Sequence, residues 1–284
     1  MNQVSVQRTR FRLRGHGLDP APLTWLLFAI LTFRFAAVWT EAFLGLPLPV
    51  MSRAWFTVAF TAFSLIHAIT LLGLRRALLF AAACAVVTWS YEEVGILTGA
   101  VYGHYHYSDQ LGFKLGEVPA LIPLAWFMMV YASWIVASFL LQGISAKAWP
   151  AAAMRVVVAA LTVTAWDAVM DPGMARAGIW TWEGGGPYFG VPLQNTVGWL
   201  ITTATVYALV EVSLRQLRPG PMQARTTIYV GLPVFLYAEM AVDRLLLPDL
   251  PELRIVAAFS MCVIALLASL RVLSSDAQHP LIDE

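Results

Sequence analysis

Asp167 and Asp171 stand four residues apart in an apolar run, WDAVMDP, so on a helix their carboxyls stack on one face. Two carboxyls held together away from water cannot both ionise easily, and a carboxyl that keeps its proton is a general acid. Ionisable groups at membrane depth cost roughly 2.5–3.5 kcal/mol each on insertion scales, which favours a functional site over a packing choice. Glu92 and Glu93 form a second acidic pair. Being adjacent, they point about 100° apart on a helix, so one of them faces any shared pocket. The plainer alternative is a buried hydrogen-bonded network that fixes helix register.

Aromatic residues crowd the segments that follow these acids: Tyr102, Tyr105, Tyr107, Trp126, Trp166, Trp180, Trp182, Tyr188, Phe189 and Trp199. Singly, each reads as a membrane-interface anchor. Together, beside acids, they suit a chamber that tolerates a carbocation, since a desolvated aromatic face stabilises a cation by about 0.5–2 kcal/mol. Asn195 opens the next apolar helix, where its amide can hold a water. His104 and His106, in YGHYHY, form a His-x-His pair beside carboxylates, yet His16, His67 and His279 lie too far off to complete a metal cluster. We read the pair as proton relay or polar lining, with no metal site. No dinucleotide fingerprint, phosphate loop, Cys-x-x-Cys or Gly-x-Ser-x-Gly occurs, so no cofactor is expected.

The chain that must position these groups has 284 residues, 59% hydrophobic and 12% charged, too apolar for a soluble domain. A bilayer core takes about 20 apolar residues per helix. Eight spans are expected, near 22–42, 54–73, 77–98, 119–141, 150–171, 195–214, 226–247 and 252–273. The fold class is thus an all-α, polytopic transmembrane bundle forming a single domain, 1–284. With both termini cytoplasmic, 12 of the 18 Lys and Arg fall in inner segments, among them Arg8, Arg10, Arg12, Arg14, Lys147 and Arg218. That bias sets the orientation and predicts a multi-pass protein of the inner (plasma) membrane. The basic N-terminus (1–20) reads as a topology signal and retained anchor rather than a cleaved leader, 274–284 as a cytoplasmic tail, and the net charge of +1 gives no reason to expect nucleic acid. Cys84 and Cys262 fall in different spans and read as small core residues.

The two long outer loops, roughly 99–118 and 172–194, belong to hairpins that look alike. Each has acids at the end of an outward helix, an aromatic loop, a glycine (Gly116, Gly190), a Val-Pro pair and a tryptophan seven residues after the proline. This is a weak parallel repeat. Glu41, Glu239 and Asp243 extend the pattern of acids in the outer third of outward-running helices. If those helices are neighbours, their acids converge on one pocket, and Arg34 is the natural cation to pair with one of them.

The segments EEVGILTGAVYGHYHYSDQLG, with its following VP and W, and WDAVMDP…WTW…YFGVPLQNTVGW resemble a family of bacterial and archaeal carotenoid-biosynthesis membrane proteins. That family includes carotenoid 1,2-hydratases acting on gamma-carotene-like and bisanhydrobacterioruberin-like substrates. The resemblance covers roughly residues 85–200; Thr196 departs from it, since an aromatic residue is associated with the position after the Asn. It implies water addition to the terminal double bond of an acyclic carotenoid end that enters from lipid, with other carotenoid-pathway enzymes as partners. Chemistry then assigns Asp167 or Asp171 as proton donor and Glu92 or Glu93 as its partner or water activator. Asn195 and the Tyr/His loop would position water, and Trp180, Trp182 and Trp199 would line the cation site. The rivals are an end-group cyclase, a polyprenyl transferase using Asp167-x-x-x-Asp171 on a magnesium diphosphate, and a proton-coupled transporter. The transferase is disfavoured by an outer face poor in Lys and Arg, the transporter by acids crowded toward one face.

Overall fold

Long apolar runs punctuated by Gly, Pro and Ser set where helices start and stop. A computed structural model describes residues 19–144, 149–217 and 225–275. Arg8, Arg10, Arg12, Arg14, His16, Lys147, Arg218 and His279, with most of the expected terminal segments, lie outside the described residues. The helices are α1 (Ala21–Leu44), α2 (Arg53–Leu72), α3 (Leu74–Thr98), α4 (Leu121–Leu140), α5 (Trp149–Arg176), α6 (Leu193–Gln216), α7 (Thr227–Val230), α8 (Leu232–Leu246) and α9 (Leu253–Ser274). Ser52 caps α2 by accepting from the Trp55 N–H, satisfying one of the orphan donors of the first turn. A π-type turn, Ala258–Cys262, interrupts α9.

Seven of these helices are long and apolar enough to cross a membrane, giving an all-α polytopic membrane bundle. The expected span at 226–247 differs: it is broken into α7 and α8 around Gly231. Pro233 is the cause. It has no N–H to give to the carbonyl of Tyr229, four residues back. His67 on α2 supplies the missing partner, its Nε2 lying 2.8 Å from the Tyr229 oxygen. With Nε2 donating, Nδ1 accepts from the Tyr131 hydroxyl at 2.7 Å.

α4 is buried around nearly its whole circumference and forms the axis of the bundle, packing on α2, α3, α5, α8 and α9. α5 packs on α6, α3 on α6, and α1 on α2 and α8. At the end away from the long loops, Arg155 of α5 makes a bidentate ion pair with Glu211 of α6, at 2.6 and 2.9 Å. Cys84 and Cys262 are both free; Cys84 is buried in the core, whereas Cys262 is half-buried against its edge.

The two long loops carry the remaining structure. Strand β1 (Tyr105–Tyr107) from the first pairs antiparallel with β4 (Trp180–Trp182) from the second, Tyr105 opposite Trp182 and Tyr107 opposite Trp180. The first loop also folds β2 (Lys114–Leu115) onto β3 (Val118–Pro119) through Gly116. The second makes the matching bridge between Tyr188 and Val191, with Phe189 (φ 50°) and Gly190 (φ 90°) in the left-handed conformation that a tight hairpin turn requires. Corresponding parts of the two hairpins thus meet and form a lid over the bundle.

Candidate active site

Strand alternation decides which loop residues look inward. In β1, Tyr105 and Tyr107 are buried while His106 between them is exposed. Both phenols donate to the same oxygen of Glu92, Tyr107 at 2.8 Å, and Trp126 Nε1 of α4 donates to the other at 2.9 Å. Glu92 is 4% exposed. With only donors around it, this carboxylate acts as an acceptor. Burial, then the charge of Glu92, push both loop phenols well above their ordinary range, so they remain O–H donors.

On α5 and α6 the arrangement is different. Asp167 and Asp171 are 1% and 3% exposed and touch each other. Asn195 Nδ2 reaches Asp171 Oδ2 at 2.5 Å and Asp167 Oδ2 at 3.5 Å. Asp167 Oδ1 is buried and has no hydrogen-bond partner among the described residues. One amide therefore holds an acid pair, whereas Glu92 has three donors to itself.

Pro172 directly follows Asp171 inside α5 and leaves the Ala168 carbonyl without its helical donor. The Tyr188 hydroxyl donates to that oxygen at 2.7 Å. The second loop is thereby tied to the helix between its two aspartates. Tyr102 secures the first loop: its ring enters a slot between Gly95 and Gly198, where an added Cβ would stand 2.8 and 2.5 Å from it. Its hydroxyl bonds Thr202 at 2.7 Å, and its carbonyl accepts from Trp182 Nε1 at 2.9 Å.

These groups enclose a cavity of about 550 Å³. Glu92, Asp171 and Asn195 line it, with Trp126, Trp166 and Trp199 on one wall and Tyr102, Tyr105, Tyr107, Trp180 and Trp182 under the lid. Trp126 and Trp199 stack, with centroids 3.8 Å apart, and Trp166 meets Trp199 edge-on at 5.9 Å. Asp167 lies behind Asp171, off the lining. The cavity continues between α1, α2 and α8, past Phe35 and Phe56 to Arg34, Arg53, Asp243 and Arg244.

Several expected members stand elsewhere. His104 and His106 are exposed on the outer side of the lid, and no cluster of three metal-ligating side chains occurs among the described residues. Glu93 turns away from Glu92 and accepts from the Glu117 N–H at 2.9 Å, holding the β2–β3 turn. Tyr188 is a strut, and Phe189 is an exposed turn residue. Glu41 is exposed, and Glu239 lies off the lining, accepting from Thr32 Oγ1 at 2.8 Å. Asp243 reaches the cavity but is held by Trp39 Nε1 at 3.1 Å and by Arg244 at 3.6 Å. Arg34 does not pair with an acid: its guanidinium stands 4.4 Å over the Phe56 ring, with no carboxylate oxygen within 4.0 Å among the described residues. Nor is the cavity poor in arginine, since Arg34, Arg53 and Arg244 all line it. Arg53 and Phe56 gave no signal, because their approach to α5 and α1 arises from helix packing rather than spacing.

Comparison with known proteins identifies the family. The family model described as carotenoid biosynthesis protein matches residues 52–268, which include every helix that supplies the carboxyls. A bisanhydrobacterioruberin hydratase from Haloarcula japonica is 33% identical over 138 residues, 48% of this chain and 45% of that protein. The chain thus spans about half the length of the curated relative it matches. No solved structure matches. The extent of the family match makes the chain a member of the carotenoid biosynthesis protein family.

Proposed function

We propose that this protein hydrates the terminal 1,2 double bond of an acyclic carotenoid end group to a tertiary alcohol. The observation that carries the reading is the pairing, in one aromatic-walled cavity, of two unlike acidic centres: Glu92 ringed by three donors, and Asp167–Asp171 bridged by Asn195. Two carboxyls in contact share a proton, and Asp171 presents it to the cavity. Transfer to the less substituted alkene carbon leaves a tertiary cation at its neighbour. The faces of Trp126, Trp166 and Trp199 and the Glu92 carboxylate offset that charge. Water held by Asn195 adds to the cation, and its surplus proton returns to the aspartate pair. Atoms and charge balance without a redox partner.

The relative's name supports hydration as the class of reaction. The apolar lining toward Phe35 and Phe56 suits a hydrocarbon end delivered from lipid. On the basic-residue bias, the lid faces the outer leaflet of the plasma membrane, with both termini cytoplasmic and other carotenoid enzymes as partners. The test is to incubate membranes carrying the protein with an acyclic-ended carotenoid in isotopically labelled water without oxygen. A product heavier by one labelled water is expected. An isomer of unchanged mass means cyclisation and overturns the reading, as does full activity in both Asp167→Asn and Asp171→Asn.

A further inference from the structure

A hydrocarbon substrate makes no use of the arginines in this cavity. Arg34 sits on α1 at the α1–α2–α8 side, with its guanidinium over Phe56 and its Nε buried without a hydrogen-bond partner among the described residues. The charged side chains that act on it are Asp243, which favours its charge, and Arg244 and Arg53, which oppose it. Asp243 is already taken by Trp39 and Arg244, and Arg244 also engages Asp249. Arg53 is exposed at the start of α2, where its Nη1 meets the Met174 sulfur at 3.9 Å. Two guanidiniums therefore line the cavity with no carboxylate oxygen within 4.0 Å of either among the described residues.

Arg34 is half-buried, and its buried Nε is a donor left open unless an oxyanion completes it; the planar fork of a guanidinium matches phosphate oxygens. Beyond Arg34 the walls turn apolar, through Phe35, Phe56, Ile122 and Met128. We propose that Arg34 and Arg53 form a subsite for the phosphate of an apolar-tailed molecule, with the tail lying along Phe56 toward Ile122. The shared chemistry is a phosphate on a hydrocarbon chain, whether carried by a bilayer phospholipid or by an isoprenoid diphosphate. This does not rest on the hydratase reading.

The test is native mass spectrometry of the full chain released from detergent, titrated separately with dioleoylphosphatidylglycerol, geranylgeranyl diphosphate and inorganic pyrophosphate. At least one tailed probe is expected to bind, and Arg34→Gln to weaken it about tenfold, the order expected for losing a charge-assisted contact. Arg75→Gln, at the far end of α3, should leave it unchanged. Arg34→Lys should restore part of the binding, which separates the subsite from a folding defect. Preference for the glycerolipid identifies a bilayer source and preference for the diphosphate an isoprenoid one; both support the subsite. Equal binding by Arg34→Gln, or pyrophosphate binding as tightly as either tailed probe, overturns it. Asp171→Asn should abolish hydration and keep phosphate binding, so the two readings fail separately.

Discussion

Trp126 and Trp199 lie face to face, 3.8 Å between centroids and 27° between planes, although they belong to different hairpins. Each stands eight residues after the valine that closes its own loop turn, Val118 and Val191. Equivalent positions of the internal repeat thus meet as the back wall of the cavity. One ring, Trp126, also donates to Glu92, so the stack is fixed by an acid as well as by packing.

A cation forming before this wall predicts graded losses. Trp199→Phe keeps a ring and should cost little, whereas Trp199→Ala should slow turnover about 2- to 30-fold, the span of one lost cation–π contact of about 0.5–2 kcal/mol. Single-turnover rates at saturating carotenoid measure this. Equal rates for the two variants would mean that the ring of residue 199 contributes nothing to turnover.

The two acidic centres should respond differently to neutralisation. Asp171→Asn removes the group that delivers the proton and should abolish hydration. Asn195→Leu removes the amide joining the pair and should lower the rate by about 10²–10³, as loss of a positioned donor does elsewhere. Glu92→Gln replaces one accepting oxygen with an NH2 that faces a donor, Trp126 or the two tyrosines, so it should lower thermal stability as well as rate. If Glu92→Gln abolished activity with stability intact and Asp171→Asn did not, the roles would be reversed.

Much of this was legible in the chain. The acids at Glu92, Asp167 and Asp171 stood out because charge in an apolar run is costly, and the Pro-to-Trp spacing revealed the repeat. His104, His106 and Glu93 have types that suit chemistry, but the alternation through β1 and the residue before it turns the histidines outward, and the angle between adjacent helical residues turns Glu93 away. The lid itself was hidden, because β1 and β4 lie more than 70 residues apart and neither has enough length for a strand signal. Arg34 found a ring instead of an acid because Arg244 and Trp39 had already claimed Asp243.

The loop tyrosines set an alkaline limit. Burial and Glu92 raise Tyr105 and Tyr107 well above the ordinary phenol value, so the folded state holds their protons more tightly than the unfolded chain does. Their contribution to stability is complete below the unfolded value of about 10 and is lost as pH rises toward the folded one. Thermal stability should therefore fall above about pH 10, and Tyr105→Phe/Tyr107→Phe should flatten that fall. Tyrosinate absorbance tracks the same groups. Two phenols titrating normally in the folded protein would contradict their placement.

Two prolines, Pro172 and Pro233, each strip a carbonyl of its helical donor, and in each case a side chain from another element takes over, Tyr188 for Ala168 and His67 for Tyr229. Where a membrane excludes water, such a carbonyl has no alternative partner. Tyr188→Phe should thus destabilise the protein by about 1–3 kcal/mol. Because the same bond ties the second loop to the helix turn between Asp167 and Asp171, hydration should fall with it. Pro172→Ala restores an N–H for Ala168, so the double variant Pro172→Ala/Tyr188→Phe should regain stability while the untethered loop keeps turnover low. Thermal unfolding and hydration rates on the three proteins decide this. Recovery of both together would show that the tyrosine serves the helix alone, and recovery of neither that its hydroxyl has another task.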